Sequence, residues 1–130
     1  MDFPIRIYYE DTDAGGVVYY ANYLKFIERA RTEYLTQCGL EQDIIREENN
    51  IVFVVRKVTA EYIKPAKFND RLLVQTKITN ISKVSIIFTQ KILDKITNKV
   101  LFSSLVEVVS VDFLSFKIKR IPKPILEKIK

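Results

Sequence analysis

The chain has no histidine, one cysteine and only three glycines among its 130 residues. Each shortage excludes something. Without histidine there is no Ser-His-Asp or Cys-His nucleophile system and no histidine-ligated zinc site. A lone Cys38 cannot close an internal disulfide, so the cytoplasm is the expected compartment. No apolar run approaches the length of a membrane span. Met1–Arg6 lacks the basic-then-apolar order of a secretion signal. Neither a Gly-x-Ser-x-Gly elbow nor a phosphate-binding glycine loop is present. Chemistry must therefore rest on carboxylates, hydroxyls, amines or backbone groups, and no metal or cofactor is implied.

Scarce glycine makes its placement informative. Gly15 and Gly16 stand side by side behind Asp11 and Asp13, inside the run Tyr9–Tyr23. Glycine tolerates φ > 0 and close backbone approach, so the pair predicts a tight, specific path. Beyond it, Tyr23, Phe26, Ile27, Ala30 and Tyr34 fall at helical spacing. This predicts core residues on a helix from Tyr23 to Cys38, with Asn22 as N-cap and Gly39 at the C-terminal cap. Glu28 and Arg31 on its polar side are spaced to pair, and Cys38 reads as a small core residue. An acidic loop, a glycine turn and a helix start thus lie together. A helix start offers unpaired N–H groups and a positive dipole end, which suits a carboxylate working beside a developing oxyanion. A calcium loop does not fit: counted from Asp11, position 5 is Gly15 and position 12 is Asn22.

Apolar residues make up 48% and charged residues 28%, the balance of one globular domain over 1–130. The net charge of +5 resides in residues 117–130, which hold six Lys/Arg and one acid. The remainder sums to zero, and the tail reads as a solvated basic segment or as a contact for phosphates or a membrane surface. No nucleic-acid partner is expected. Phe3–Tyr9 reads as a strand and Glu41–Glu48 as a short helix. Ile51–Ile63, Arg71–Ile81, Val84–Leu93 and Val100–Val111 read as strands joined by turns at 64–70, 82–83 and 94–98. Short connectors predict neighbouring antiparallel strands. Period-two alternation through Val84, Ile86, Phe88, Gln90 and Ile92 marks one face. Pro122 and Pro124 precede a last helical turn at Ile125–Ile129. The class is α+β.

The run Asp11–Tyr23, followed by Glu28-Arg29-Ala30-Arg31, resembles the signature of the hotdog-fold 4-hydroxybenzoyl-CoA thioesterase family. Phe53–Lys57, Glu61-Tyr62, Pro65-Ala66 and Phe88–Gln90 resemble its Tol–Pal-associated acyl-CoA thioesterase branch. The likeness extends from about Ile5 to Pro124. It implies one long helix wrapped by a five- or six-stranded antiparallel sheet. It also implies edge-to-edge homodimers, often joined as homotetramers, with active sites at the dimer interface. Asp13 falls on the family's catalytic aspartate and the Tyr20 backbone N–H on its oxyanion donor. Many members of the branch carry histidine where this chain has Tyr20; the hydroxybenzoyl branch has tyrosine there.

The chemistry is feasible without histidine. A thiol has a pKa of about 8.5, so a thioester's leaving group departs with little help from an acid. A carboxylate can attack the carbonyl or draw a proton from water. Oriented backbone N–H groups then stabilise the oxyanion. Substrate-binding candidates are Gly16, Tyr19 and Tyr23 near the loop, with Arg56, Lys57, Lys64 and Lys83 for the phosphates of coenzyme A. A hydroxyacyl dehydratase, which depends on a catalytic histidine, is close to excluded. The remaining alternative is a binding partner of acyl carrier protein or envelope-associated proteins, steered by the basic tail.

Overall fold

The computed structural model describes residues 1–130. In chain order it contains β1 (Asp2–Arg6), α1 (Asn22–Gln37), α2 (Gln42–Asn49), β2 (Ile51–Tyr62), β3 (Arg71–Ile81), β4 (Ser85–Asp94), β5 (Val100–Asp112) and α3 (Lys123–Ile129). The five strands form one antiparallel sheet in the order β1-β3-β4-β5-β2. The architecture is α+β, as the element pattern predicts, with five strands.

The elements follow from their side chains. Along α1 the helical stripe buries Tyr23, Phe26, Ile27 and Ala30 against the sheet, and Leu35 joins them. Tyr34 and Cys38 are partly buried at the edge of the same core, and desolvation pushes the Cys38 thiol up. Burying each large apolar side chain is worth about 1.5–3 kcal/mol, which seats the helix. Gly39 ends it at φ +83°. Its N–H donates to Thr36 O and that of Leu40 to Leu35 O, the paired closure that a left-handed residue permits. On the sheet's helix-facing side, Leu72, Val74, Ile86, Phe88, Ile92, Phe102 and Val106 are buried.

Three expectations change at the ends and connections of the elements. β1 ends at Arg6 and the chain enters a 3-10 turn at Tyr9–Asp11, because Asp11 Oδ2 accepts the Tyr8 N–H at 2.9 Å. The short connector between β2 and β3 does not make them neighbours; β2 lies beside β5 at the opposite edge. Residues 63–70 can span about 26 Å when extended, enough to cross three strand spacings of about 4.8 Å. Asn22 is the first residue of α1 rather than its cap; its side chain instead donates to Asp11 O at 2.9 Å.

Beneath the middle of α1 lies the core's polar centre. Gln90 is fully buried. Its Nε2 donates to Ile27 O at 2.8 Å and to Thr76 Oγ1 at 3.0 Å. Its Oε1 accepts from Arg31 Nη1 at 3.0 Å. Arg31 therefore turns inward to Gln90, and Glu28 accepts from the Thr32 hydroxyl at 3.3 Å rather than pairing with Arg31. Burial lowers the Arg31 pKa, and the nearby Glu28 charge partly offsets this.

Candidate active site

The acidic loop is a small hairpin. Thr12 bridges to Val18 and Val17 to Lys67. The Asp13 N–H donates to Val17 O at 2.9 Å and Gly16 N–H to Asp13 O at 3.0 Å. Gly16 closes this turn at φ +81°, a conformation that costs a side-chain-bearing residue about 1–2 kcal/mol. Asp13 Oδ1 accepts the Gly15 N–H at 2.8 Å, which fixes the carboxylate on the turn while leaving Oδ2 free of protein donors. The Asp13 side chain is exposed.

Downstream the hairpin runs straight into the helix. Tyr19 N–H donates to Asp11 O and Asn22 N–H to Tyr19 O, both at 2.9 Å. The N–H groups of Tyr20 and Ala21 donate to no protein acceptor. They stand at the positive end of α1, where unpaired N–H groups and the helix dipole favour an anion. Tyr62, at the end of β2, donates its hydroxyl to Tyr20 O at 2.9 Å and so pins this first turn. Partial burial raises the Tyr62 pKa, keeping it a neutral donor.

Around this turn the aromatics are in contact. The Tyr19 and Tyr20 rings lie 4.9 Å apart, Tyr20 meets Tyr62 edge-on at 6.2 Å, and Tyr23 stacks on Phe102 at 5.1 Å. Val18, Tyr20, Tyr23, Tyr62, Ile63, Lys64 and Pro65 line an open, mostly apolar cleft of about 250 Å³. Tyr23 is both core and wall: it is buried, and its hydroxyl accepts the Ala66 N–H at 3.1 Å. Burial pushes its pKa up. Lys64 and Pro65 also line an adjoining cleft of about 400 Å³ with Lys67 and Lys99.

Sequence-predicted residues divide into two groups. Tyr20, Tyr23 and Lys64 meet at the apolar cleft, while Asp13, Gly16 and Tyr19 lie on the hairpin that leads into it. Three cations lie elsewhere on the chain. Arg56 is bonded to Glu107 at 2.9 Å across the β2–β5 pair, and Lys57 follows it on the edge strand. Lys83 sits beyond the far end of β3, whose 11 residues separate it from the loop by about 35 Å of strand. Tyr62, Ile63, Lys67 and Lys99 were not singled out by sequence reasoning. Only the Glu61-Tyr62 pair carried a signal, as part of the resemblance.

Comparison with known proteins agrees with this architecture. Residues 8–129 match the model of the Thioesterase-like superfamily. The acyl-CoA thioester hydrolase YbgC of Escherichia coli is 47% identical over 128 residues, covering 98% of this chain and 94% of the relative. A probable thioesterase from Bartonella henselae superposes with TM-score 0.87 at 31% identity, covering 94% of this chain and 98% of that one. A 4-hydroxybenzoyl-CoA thioesterase mutant, complexed with 4-hydroxybenzoyl-CoA, shares the hotdog fold at TM-score 0.91 and 20% identity, covering 100% and 98% of the two chains. The five-stranded sheet around α1, the glycine hairpin at its start and a family match over nearly the whole length agree: the chain is a hotdog-fold member of the Thioesterase-like superfamily.

Proposed function

We propose that this single hotdog unit hydrolyses acyl-CoA thioesters, with water and acyl-CoA giving the free acid and coenzyme A. The observation that carries this reading is the pairing, at one helix start, of unpaired Tyr20 and Ala21 N–H groups with the turn that holds Asp13. The thioester carbonyl oxygen accepts from the Tyr20 N–H as negative charge develops on it, and loss of one such donor typically costs about 10²–10³ in rate. Asp13 either attacks the carbonyl carbon or removes a proton from the attacking water. In both routes the C–S bond breaks and sulfur leaves as thiolate; after direct attack, water then cleaves the acyl–Asp13 anhydride, which frees the acid and restores the carboxylate. The Tyr20–Tyr23–Tyr62 cleft takes the apolar part of the substrate beside the thioester, and Lys64 lies where a phosphate can be met. The names of the superfamily relatives support the same reaction class.

The exposure of Asp13 supports a second protomer in the working enzyme. A carboxylate in bulk water is a poor nucleophile, and excluding water strengthens the electrostatics of such a site. β2 is a 12-residue edge strand with exposed Val55 and Val58, and such an edge is a ready template for pairing with another chain. Edge-to-edge pairing would form the homodimer and cover the site. A homotetramer would join two such pairs.

The test is thiol release from a panel of short, long and aromatic acyl-CoAs. Turnover on at least one class, lost in Asp13→Asn, is the expected result. No turnover on any class by folded dimer would reject the hydrolase reading and favour docking of acyl carrier protein, for which the basic tail supplies complementary charge.

A further inference from the structure

The hairpin that follows β5 differs from the rest of the surface. Asp112 N–H donates to Lys117 O and Phe116 N–H to Asp112 O, both at 2.8 Å, while Lys119 N–H reaches Ser110 O at 3.0 Å. The Asp112 carboxylate accepts the N–H groups of Leu114 and Ser115 at 3.1 and 2.9 Å. Asn50 Nδ2 donates to its other oxygen at 3.0 Å. Phe113 is held against α2, with the Arg46 guanidinium 5.2 Å above its ring. This bonding holds three large apolar side chains in water: Leu114, Phe116 and Ile118 are 80%, 63% and 60% exposed. Phe116 adopts φ +57°; the other non-glycine residues with positive φ are all asparagines. A left-handed aromatic is disfavoured unless its surroundings impose it.

The same segment carries the protein's charge excess. Lys117, Lys119, Arg120 and Lys123 are on or just after the hairpin, whereas the first 116 residues are neutral in sum. Lys119 is engaged with Asn49 O and Asp112; Lys117, Arg120 and Lys123 form no ion pair. Glu47 and Glu48 at the end of α2 reduce the local excess without reversing it.

We propose that the Phe113–Arg120 hairpin docks the protein on an anionic membrane surface. Leu114, Phe116 and Ile118 enter the headgroup boundary, and Lys117, Arg120 and Lys123 meet lipid phosphates. A bilayer interface satisfies both halves of the surface, since buried apolar area and attraction to anionic lipid act together there. A partner offering phosphates alone would leave Leu114 and Ile118 in water. A second copy related by a two-fold axis presents the same basic patch, which brings two like-charged surfaces together. Docking goes beyond the hydrolase reading and does not depend on it.

The experiment is co-sedimentation of the full chain with phosphatidylcholine vesicles and with vesicles enriched in phosphatidylglycerol. Binding only to the anionic vesicles, weakening as salt rises, is expected. Leu114→Ser/Phe116→Asn and Lys117→Gln/Lys123→Gln should each weaken it by on the order of tenfold. Asparagine tolerates the left-handed conformation, so the first variant should fold, which circular dichroism checks. No partition of the wild type into anionic vesicles would overturn the proposal, as would equal binding by both variants. A change in oligomeric mass of the apolar variant without lipid, with vesicle binding intact, would reassign the hairpin to a contact between copies.

Discussion

Helix α1 touches two polar constellations, and they are handled in opposite ways. Beneath its middle, Gln90 is buried and saturated: both ends of its amide are bonded to Ile27, Thr76 and Arg31. At its start, the Tyr20 and Ala21 N–H groups have no protein acceptor, and the Asp13 carboxylate holds one donor and faces solvent. A saturated buried network fixes a fold, because leaving any member unpaired in a low-dielectric core is costly. Groups held in place yet left unpaired are available to a substrate. The difference separates what builds this molecule from what can react in it.

That contrast can be broken by variants at each end. The largest effect belongs to Asp13→Asn: turnover should fall by at least about 10², with the melting temperature unchanged because Asn can still accept from Gly15. Gln90→Ala should do the reverse, removing about 2–4 kcal/mol of stability by leaving the buried Arg31 guanidinium and the Thr76 hydroxyl without their partner, read by urea denaturation. Gly16→Ala should cost about 1–2 kcal/mol through its φ alone, since an added Cβ meets nothing within 4 Å. Tyr62→Phe, which frees Tyr20 O, should lower kcat several-fold and leave KM nearly unchanged, as about 1 kcal/mol of positioning is lost. The smallest effect concerns the β5 hairpin. The Ser115 N–H, with Leu114 and Lys119 also contributing, holds the Asp112 carboxyl below its ordinary value. Its stabilisation is therefore present above the unfolded pKa of about 3.9 and lost as pH falls through the lower folded value. The protection factors of the Leu114 and Ser115 amides, taken against intrinsic exchange at the same pH, should fall there before the core opens.

Much of this was legible in the sequence because it is local. The period of Tyr23, Phe26, Ile27 and Ala30 is a property of one helix, and Gly39 closes it through bonds to its own last turn. The four long strands stand nearly where their β-branched runs place them. What was illegible depends on partners distant in the chain. Nothing local tells β2 to join β5 rather than β3. Arg31 has a carboxylate three residues away, yet it turns to Gln90, 59 positions on. The signal for that was present: Gln90 interrupts an inward stripe of Val84, Ile86, Phe88 and Ile92, and a lone amide there requires buried partners. Asn22 was placed at the cap by residue type, but a carbonyl of the preceding loop claims its side chain. Lys83 and Lys64 look alike in sequence, and only the topology sets Lys64 beside the cleft and Lys83 beyond the far end of β3.

The most direct test sets two variants side by side, measuring thiol release from the preferred acyl-CoA and the melting temperature for each. Asp13→Asn is expected to abolish turnover at an unchanged melting temperature, and Gln90→Ala to melt markedly lower while its remaining folded fraction still turns over. An Asp13→Asn enzyme that hydrolyses at the wild-type rate would contradict the account.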